Sequence, residues 1–349
     1  MHDAIGSHSR QLQRLLRDLG VESEIYVAET AKGGRDALSL GRFERRVPNG
    51  ESLLLYHLST GSAVADILLR RPEPKLVNYH NITPPQFFEG WEPPVASELS
   101  MGRRQLEALA PRTELGIAVS AYNERELRGA GYANTAVAPV LVDVGAFDRE
   151  VDADALGRLM DAKAGGGADL LFVGRLAPNK AQHDLIKVLA LYRLLYDPAA
   201  RLHLVGGSSS EAYRAALASF AAGLDLGDAV DLAGPVSAGE LAAHYRAADA
   251  FVCVSEHEGF CVPLLEAMHH HLPIVAYAAA AVPETLAEAG VLLPRKDPAT
   301  VAAAVWRVLT DIELRAELER RAGARLSQFS LERSRRRFTD VLAPLLEAA

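Results

Sequence analysis

Only two cysteines, Cys253 and Cys261, occur in 349 residues, and neither pairs with a histidine at a zinc-like spacing. That scarcity excludes a small secreted fold stapled by disulfides and fits a reducing cytosol. Long apolar runs are missing too: none approaches the roughly 20 residues that span a bilayer, and the opening residues carry no signal-peptide pattern. Positive charge is in deficit. With 37 Lys and Arg against 45 Asp and Glu, the formal net charge is -8, which speaks against nucleic acid as a main partner, because polyanion binding needs a basic face. No Gly-x-Gly-x-x-Gly follows a strand-like run and no Gly-x-x-x-x-Gly-Lys-Ser/Thr is present, so dinucleotide and ATP binding lack their usual phosphate loops.

What is present suits a soluble globular chain, with 49% apolar residues and a mean hydropathy of +0.03. The length exceeds what one ordinary core supports, so two domains of roughly 150 residues each are expected. Short apolar runs alternate with longer helical patterns, as in βα units that build parallel sheets. In the first half the spacing predicts strands at Glu24–Ala28, Ser52–Leu58, Lys75–His80 and Leu115–Ser120, and helices at Ser7–Leu19, Val95–Ala110 and Asn123–Gly129. The alternation breaks at Thr135–Asp148, and Ala164-Gly165-Gly166-Gly167 supplies a flexible stretch suited to a domain boundary. Beyond it, strands are predicted at Asp169–Val173, Arg201–Val205, Ala229–Leu232, Ala250–Val254 and Pro273–Tyr277, and two arginine-rich helices close the chain. The expected fold class is α/β, with domains at 1–148 and 149–325 and a final helical segment at 326–349.

The opening departs from that pattern. A parallel α/β domain normally begins with an apolar strand, yet Met1 is followed at once by His2-Asp3-Ala4-Ile5-Gly6-Ser7-His8 and an amphipathic helix. Five or six buried strand residues at about 1.5–3 kcal/mol each would contribute on the order of 10 kcal/mol, comparable to the net stability of a domain. The expectation is therefore that the polypeptide starts upstream of Met1 or that another segment fills the slot.

Chemistry concentrates in Val254–Tyr277, where Glu258 and Glu266 are separated by seven residues around a strand end, a loop and a helix start. Gly259 lets backbone approach a ligand closely, and the first amides of the following helix face an anion with favourable polarity. Were the segment helical throughout, the two carboxylates would lie about 12 Å apart along its axis, a separation suited to hydroxyl-rich groups at either end of a diphosphate. Carboxylates accept hydrogen bonds from such hydroxyls, whereas apolar residues would leave them unpaired at about 1–3 kcal/mol each. Two surface glutamates on an ordinary helix are the plain alternative. A second cluster is Phe172-Val173-Gly174-Arg175-Leu176 with Lys180, 78 residues before Glu258. Arginine grips phosphate oxygens with a planar fork and lysine adds a compact charge, so the pair can stabilise a leaving diphosphate without a metal. Solvated charges at a helix start are the alternative there.

Together these stretches resemble glycosyltransferase family 4, whose signature carries two glutamates eight positions apart, a glycine-aromatic pair after the first, and a proline before a small-residue helix. The resemblance implies a GT-B fold: two doubly wound, Rossmann-like domains facing across a cleft, here with the first strand of the N-terminal domain missing and the last helix crossing back. It implies that Glu258 contacts the transferred sugar, Glu266 holds the ribose, Gly259 and Phe260 supply amides, and Arg175 and Lys180 serve the diphosphate. His80, in Tyr79-His80-Asn81-Ile82-Thr83-Pro84, is similar to the histidine that reaches the donor sugar, or is a satisfied structural histidine. Gly6 is similar to the glycine loop after the family's first strand, or is a helix cap, and Gly206-Gly207 to backbone passing beside the nucleotide, or is a plain turn. Pro139–Asp143, with Phe147 and Asp148, is similar to the interdomain stretch, in which Asp143 is structural.

The resemblance therefore implies a retaining, metal-independent hexosyltransferase, with a GDP- or UDP-sugar as donor, a saccharide or lipid-linked acceptor and no cofactor. It implies work in the cytoplasm, where the basic run Arg333 and Arg335–Arg337 would touch anionic lipid if the acceptor is membrane-bound. A nucleotide-sugar 2-epimerase of the same fold and a non-catalytic nucleotide-sugar binder are the rival readings. Two patterns are set aside as metal sites. Asp152-Ala153-Asp154 does not follow an apolar strand and reads as helix-start acidity, and three consecutive histidines, His269-His270-His271, point in different directions on a helix.

Overall fold

The computed structural model describes residues 4–28, 37–47, 52–143, 145–146 and 151–346. Twelve strands are found among them: β1 (Ile25–Val27), β2 (Ala37–Ser39), β3 (Leu54–Leu58), β4 (Lys75–Tyr79), β5 (Leu115–Ala118), β6 (Thr135–Val137), β7 (Asp169–Val173), β8 (Arg201–Val205), β9 (Val230–Gly234), β10 (Ala250–Cys253), β11 (Ile274–Tyr277) and β12 (Val291–Leu293). Every pairing is parallel, as an α/β alternation demands, since parallel neighbours need a crossover between them. The described residues divide into two units, one within 4–89, Pro93–Val142 and 330–346, the other within Asp143–Phe329 with Gly90–Glu92.

In the first unit, β3, β4, β5 and β6 form one sheet in sequence order, while β1 and β2 pair only with each other. An opening strand before the first helix is the expectation for a parallel α/β domain. Met1–Asp3 lie outside the described residues, and the strands of this unit form two separate pieces rather than one sheet. The core joins the helix Ala4–Asp18 to the helix Leu331–Leu346: Leu12, Leu15, Phe338 and Leu342 are buried with Leu76, Ile117, Ala138 and Leu141. Each large apolar side chain there contributes about 1.5–3 kcal/mol by leaving water. The C-terminal residues thus belong to the core of the N-terminal unit.

The second unit is one six-stranded sheet in the order β12-β11-β10-β7-β8-β9. Its central strands β7 (DLLFV) and β10 (AFVC) are near-continuous apolar runs, as strands covered by helices on both faces must be. The order reverses between β7 and β10: β7 continues to β8 and β9 on one side, and β10 continues to β11 and β12 on the other. In open parallel sheets the loops leaving two such strands diverge and open a crevice, the usual ligand position.

Several sequence expectations shift here. β2, β6 and β12 are three residues each, too short to show a period. The glycine run is a turn inside the second unit, joining the helix Ala153–Lys163 to β7. Gly167 holds φ +89°, and a Cβ there would stand 2.2 Å from the Ala199 carbonyl oxygen, so close packing requires this glycine. Asp152 caps its helix by accepting from the Ala155 amide at 2.9 Å, as helix-start acidity predicts. Phe147 and Asp148 lie outside the described residues. No helix among the described residues is long and apolar enough to cross a membrane.

Candidate functional site

The loops after β7 and β10, on the two sides of the switch point, carry the predicted cations and the first glutamate. After β7 the chain passes Gly174 and Arg175, makes a single turn at Pro178–Lys180, and enters the helix Gln182–Leu195 through Ala181 at φ 52°. After β10 it runs from Val254 to Cys261, which holds φ 69° and starts the helix Val262–His269. The two loops are tied together. The Glu256 amide donates to the Asn179 carbonyl at 2.9 Å, and the buried Asn179 side chain donates to the His257 carbonyl at 3.2 Å. Across this tie Lys180 Nζ stands 2.6 Å from Glu258 Oε2, with 17% and 11% of the two side chains exposed. Residues 78 apart in sequence are thus one ion pair, in a setting where Coulomb attraction exceeds its value in open water.

A third loop supports them. Gly206 follows β8 with φ 147°, and a Cβ there would lie 2.1 Å from the Gly174 carbonyl oxygen, so only glycine lets the two strand ends close up. The Leu176 amide donates to the Gly207 carbonyl at 2.8 Å and the Gly174 amide to the Val205 carbonyl at 2.9 Å. On the other flank, Phe260 is buried against Phe329, its carbonyl accepts from Thr285 Oγ1 at 2.6 Å, and the Glu258 carbonyl accepts from the Ala281 amide at 3.2 Å. Gly259 lies between these anchored neighbours. Arg175 is exposed, while its carbonyl is fixed by Gln182 Nε2 at 2.9 Å.

Glu266 behaves differently from its predicted partner. It lies inside the helix Val262–His269, 7% exposed, and Oε2 accepts from Tyr245 Oη at 2.6 Å. Burial pushes its carboxyl pKa up, and the tyrosine hydrogen bond opposes that. The helical ruler from Glu258 to Glu266 fails, because residues 258–261 precede the helix. Sequence reasoning also missed Asn179, Tyr245 and Lys296. Lys296 lies 2.7 Å from Glu256 Oε1 and pairs with Asp184 as well, bracing the two loops from outside. Asn179 adjoins Lys180 and was the one detectable signal; nothing in spacing links Tyr245 or Lys296 to the motif.

In the first unit, His80 follows β4 and its Nε2 lies 2.9 Å from His57 Nδ1. His8 packs edge-on against both rings, at 5.3 Å from His57 and 5.1 Å from His80. His8 Nδ1 accepts the Leu141 amide at 2.9 Å and Nε2 lies 2.7 Å from the Asn78 side-chain amide. Gly6 is not in a loop: it sits in the first turn of the helix Ala4–Asp18, because the helical register of buried Leu12 and Leu15 runs back through it. Burial lowers all three histidines, with the His57 charge adding to the effect on His8 and the His57 and His8 charges to that on His80; His57 falls to about 4. They are neutral near pH 7. Since the folded values lie below the ordinary 6.5, the unfolded chain takes up protons that the folded one refuses, and stability drains away as pH falls from 6.5 toward 4. The unfolding midpoint is expected to drop across that window, and less steeply in His57→Asn. Equal slopes for the two proteins would contradict the assignment.

Among the described residues, three clusters bring metal-ligating atoms within 4.8 Å of one another: His8, His57 and His80; Cys253, Glu258 and Cys261; and His203, Asp231 and His244. In the second, the Lys180 ammonium already occupies the cation position on Glu258. The consecutive histidines make no such cluster among the described residues: His270 stacks on Tyr245 at 5.0 Å, and exposed His271 meets Glu319 at 3.1 Å.

Two parallel α/β units, with an anion-suited pair at the switch point of the second, are those of the GT-B class of fold. The solved structures agree. Sucrose-phosphate synthase from Thermosynechococcus elongatus superposes with a TM-score of 0.77 at 21% identity, over 98% of this chain and 93% of that one. Anabaena HepE in complex with UDP-glucose gives 0.66 at 22%, over 81% and 75%. Residues 161–325 match the family model of glycosyl transferases group 1, which bears out the resemblance read from Val254–Tyr277. The D-inositol 3-phosphate glycosyltransferase of Geodermatophilus obscurus is 37% identical over 246 residues, 67% of this chain and 52% of the relative. That of Kineococcus radiotolerans is 34% identical over 260 residues, 69% and 58%. The chain spans about half the length of the relatives it matches.

Proposed function

We propose that this chain is a retaining glycosyltransferase that moves a hexose from a nucleotide diphosphate sugar to a hydroxyl of a saccharide or lipid-linked acceptor. The observation that carries the reading is the Lys180–Glu258 pair at the switch point. An ammonium has three donors, so Lys180 keeps its bond to Glu258 and gives another to a phosphate oxygen, with Arg175 swinging in from the exposed side. Glu258 then stands where the sugar joins its phosphate, and complements the positive charge that grows at the anomeric carbon as the diphosphate leaves. The leaving phosphate oxygen takes the acceptor's proton on the same face, so no carboxylate nucleophile is required. Glu266 reaches a ribose hydroxyl once Tyr245 gives up its hydrogen bond. Neutral His80 is an uncharged donor or acceptor for a sugar hydroxyl.

Both GDP- and UDP-sugars fit this reading. The names of the relatives make a phosphorylated inositol the first acceptor to try. Such a donor is a cytoplasmic metabolite, and exposed Arg333, Arg336 and Arg337 offer a basic face to anionic lipid when the acceptor is lipid-linked. The test is nucleotide release from UDP- and GDP-hexoses with and without an acceptor panel containing inositol phosphates and lipid-linked saccharides. Release is expected only with acceptor present, and the product keeps the donor's anomeric configuration. Release without acceptor would point to an epimerase, and tight binding with no release on any acceptor to a binder.

A further inference from the structure

The switch-point loops follow the carboxyl ends of the strands, yet the second unit holds another charged cluster on the amino-terminal halves of β8 and β9. His203 and Asp231 are direct partners across those two strands, so their side chains share one face of the sheet. His203 Nδ1 lies 3.2 Å from Asp231 Oδ2. From the helix Ala238–Ala247, His244 brings its ring centroid to 5.6 Å from that of His203. A ring nitrogen of each histidine and an Asp231 oxygen fall within 4.8 Å of one another.

Three features distinguish this cluster from an ordinary ion pair. His244 Nδ1 is buried with no hydrogen-bond partner among the described residues, and a buried polar atom left unpaired costs about 1–3 kcal/mol. The far nitrogen of His203 is already oriented: Nε2 lies 3.1 Å from Asp169 Oδ1, and Arg201 fixes that carboxylate at 2.6 and 3.0 Å. A carboxylate behind a histidine is the usual second partner of a metal-bound imidazole, where it sets the tautomer and raises ligand basicity. Finally, the Asp231 side chain is 47% exposed, which leaves an entry path.

We propose that His203, Asp231 and His244 form a binding site for a divalent first-row transition-metal ion such as zinc. Ligand atoms around a tetrahedral ion with bonds of about 2.0–2.1 Å lie roughly 3.3 Å apart, a spacing His203 Nδ1 and Asp231 Oδ2 already have as a hydrogen bond, whose proton the ion releases to solvent on binding. His244 closes the remaining gap with its unpaired nitrogen, and water takes the fourth position. Two imidazoles with one carboxylate favour zinc, cobalt or nickel over magnesium or calcium, which prefer all-oxygen sites. The site does not depend on the transferase reading, since none of its ligands lies on the donor loops.

The experiment is a titration of the purified protein with Co(II), read by the visible absorption of a tetrahedral cobalt site, followed by competition with Zn(II). One equivalent is expected to bind and to be displaced by zinc. His244→Ala and Asp231→Asn are each expected to weaken binding at least tenfold while keeping the metal-free unfolding midpoint within a few degrees. Asp231 is half exposed, so its variant remains informative even if His244→Ala folds poorly. Absence of saturable binding by the parent protein overturns the proposal. So does wild-type affinity in either folded variant, which would give the metal to the His8 or Cys253 cluster instead.

Discussion

Glu258→Ala is expected to lower kcat for sugar transfer at least about a hundredfold while the donor dissociation constant moves by only a few fold. The split follows from the geometry. In the resting protein Glu258 is the partner of Lys180 at 2.6 Å, and its loss frees that ammonium for the diphosphate, so ground-state binding is preserved. What disappears, on the proposed reading, is a carboxylate beside the anomeric carbon, which acts only as positive charge develops there. A hundredfold corresponds to about 2.7 kcal/mol, at the lower end of what one preorganised group contributes to a developing charge. Glu258→Gln keeps the shape and one acceptor oxygen, and is expected to recover little of the rate. Should either variant turn over near the parent rate, Glu258 would not stand at the reacting centre. Stability must be followed alongside, because an unpaired Lys180, only 17% exposed, leaves a charge uncompensated.

The converse substitution acts on binding. Lys180→Ala removes the cation and leaves Glu258 facing an incoming diphosphate, so attraction is lost and repulsion added. A charge-assisted hydrogen bond contributes about 1.5–3 kcal/mol, which predicts donor binding weaker by at least tenfold. Arg175→Ala should weaken it less in the resting geometry, since that guanidinium is exposed and must be drawn in by the ligand. Double substitution removes both charges and is expected to abolish measurable binding of a nucleoside diphosphate. Because Arg175 and Lys180 occupy one loop, their effects need not add.

The sequence disclosed the strands that cross a covered core. β7 and β8 match their expected bounds residue for residue, since an apolar run such as Leu170–Val173 between polar turns has few other readings. The two loops proposed to face the diphosphate also stand out in the sequence, because Gly174, Arg175, Lys180 and Glu258 are residue types with specific uses. Contacts over long separations were not. Nothing in the spacing says that Tyr245 caps Glu266, that Asn179 ties one loop to the other, or that the strand order reverses between β7 and β10. The same holds for His203 and Asp231, whose pairing exists only through the register of β8 and β9. For Gly6 the likeness to the family's glycine loop misleads, and it is not a cap either: the buried leucines that follow hold it in helical register. The glycine run at 164–167 suggests flexibility in the sequence, whereas Gly167 is required there by close packing against Ala199, because flexibility and tight packing demand the same residue.

Isothermal titration of UDP and GDP into the parent protein and into Lys180→Ala addresses the paired-anion site most directly. The account predicts saturable one-to-one binding of at least one nucleotide by the parent, and at least a tenfold loss in a variant that unfolds at a similar temperature. Equal affinity in the two proteins would put the diphosphate elsewhere and contradict the account.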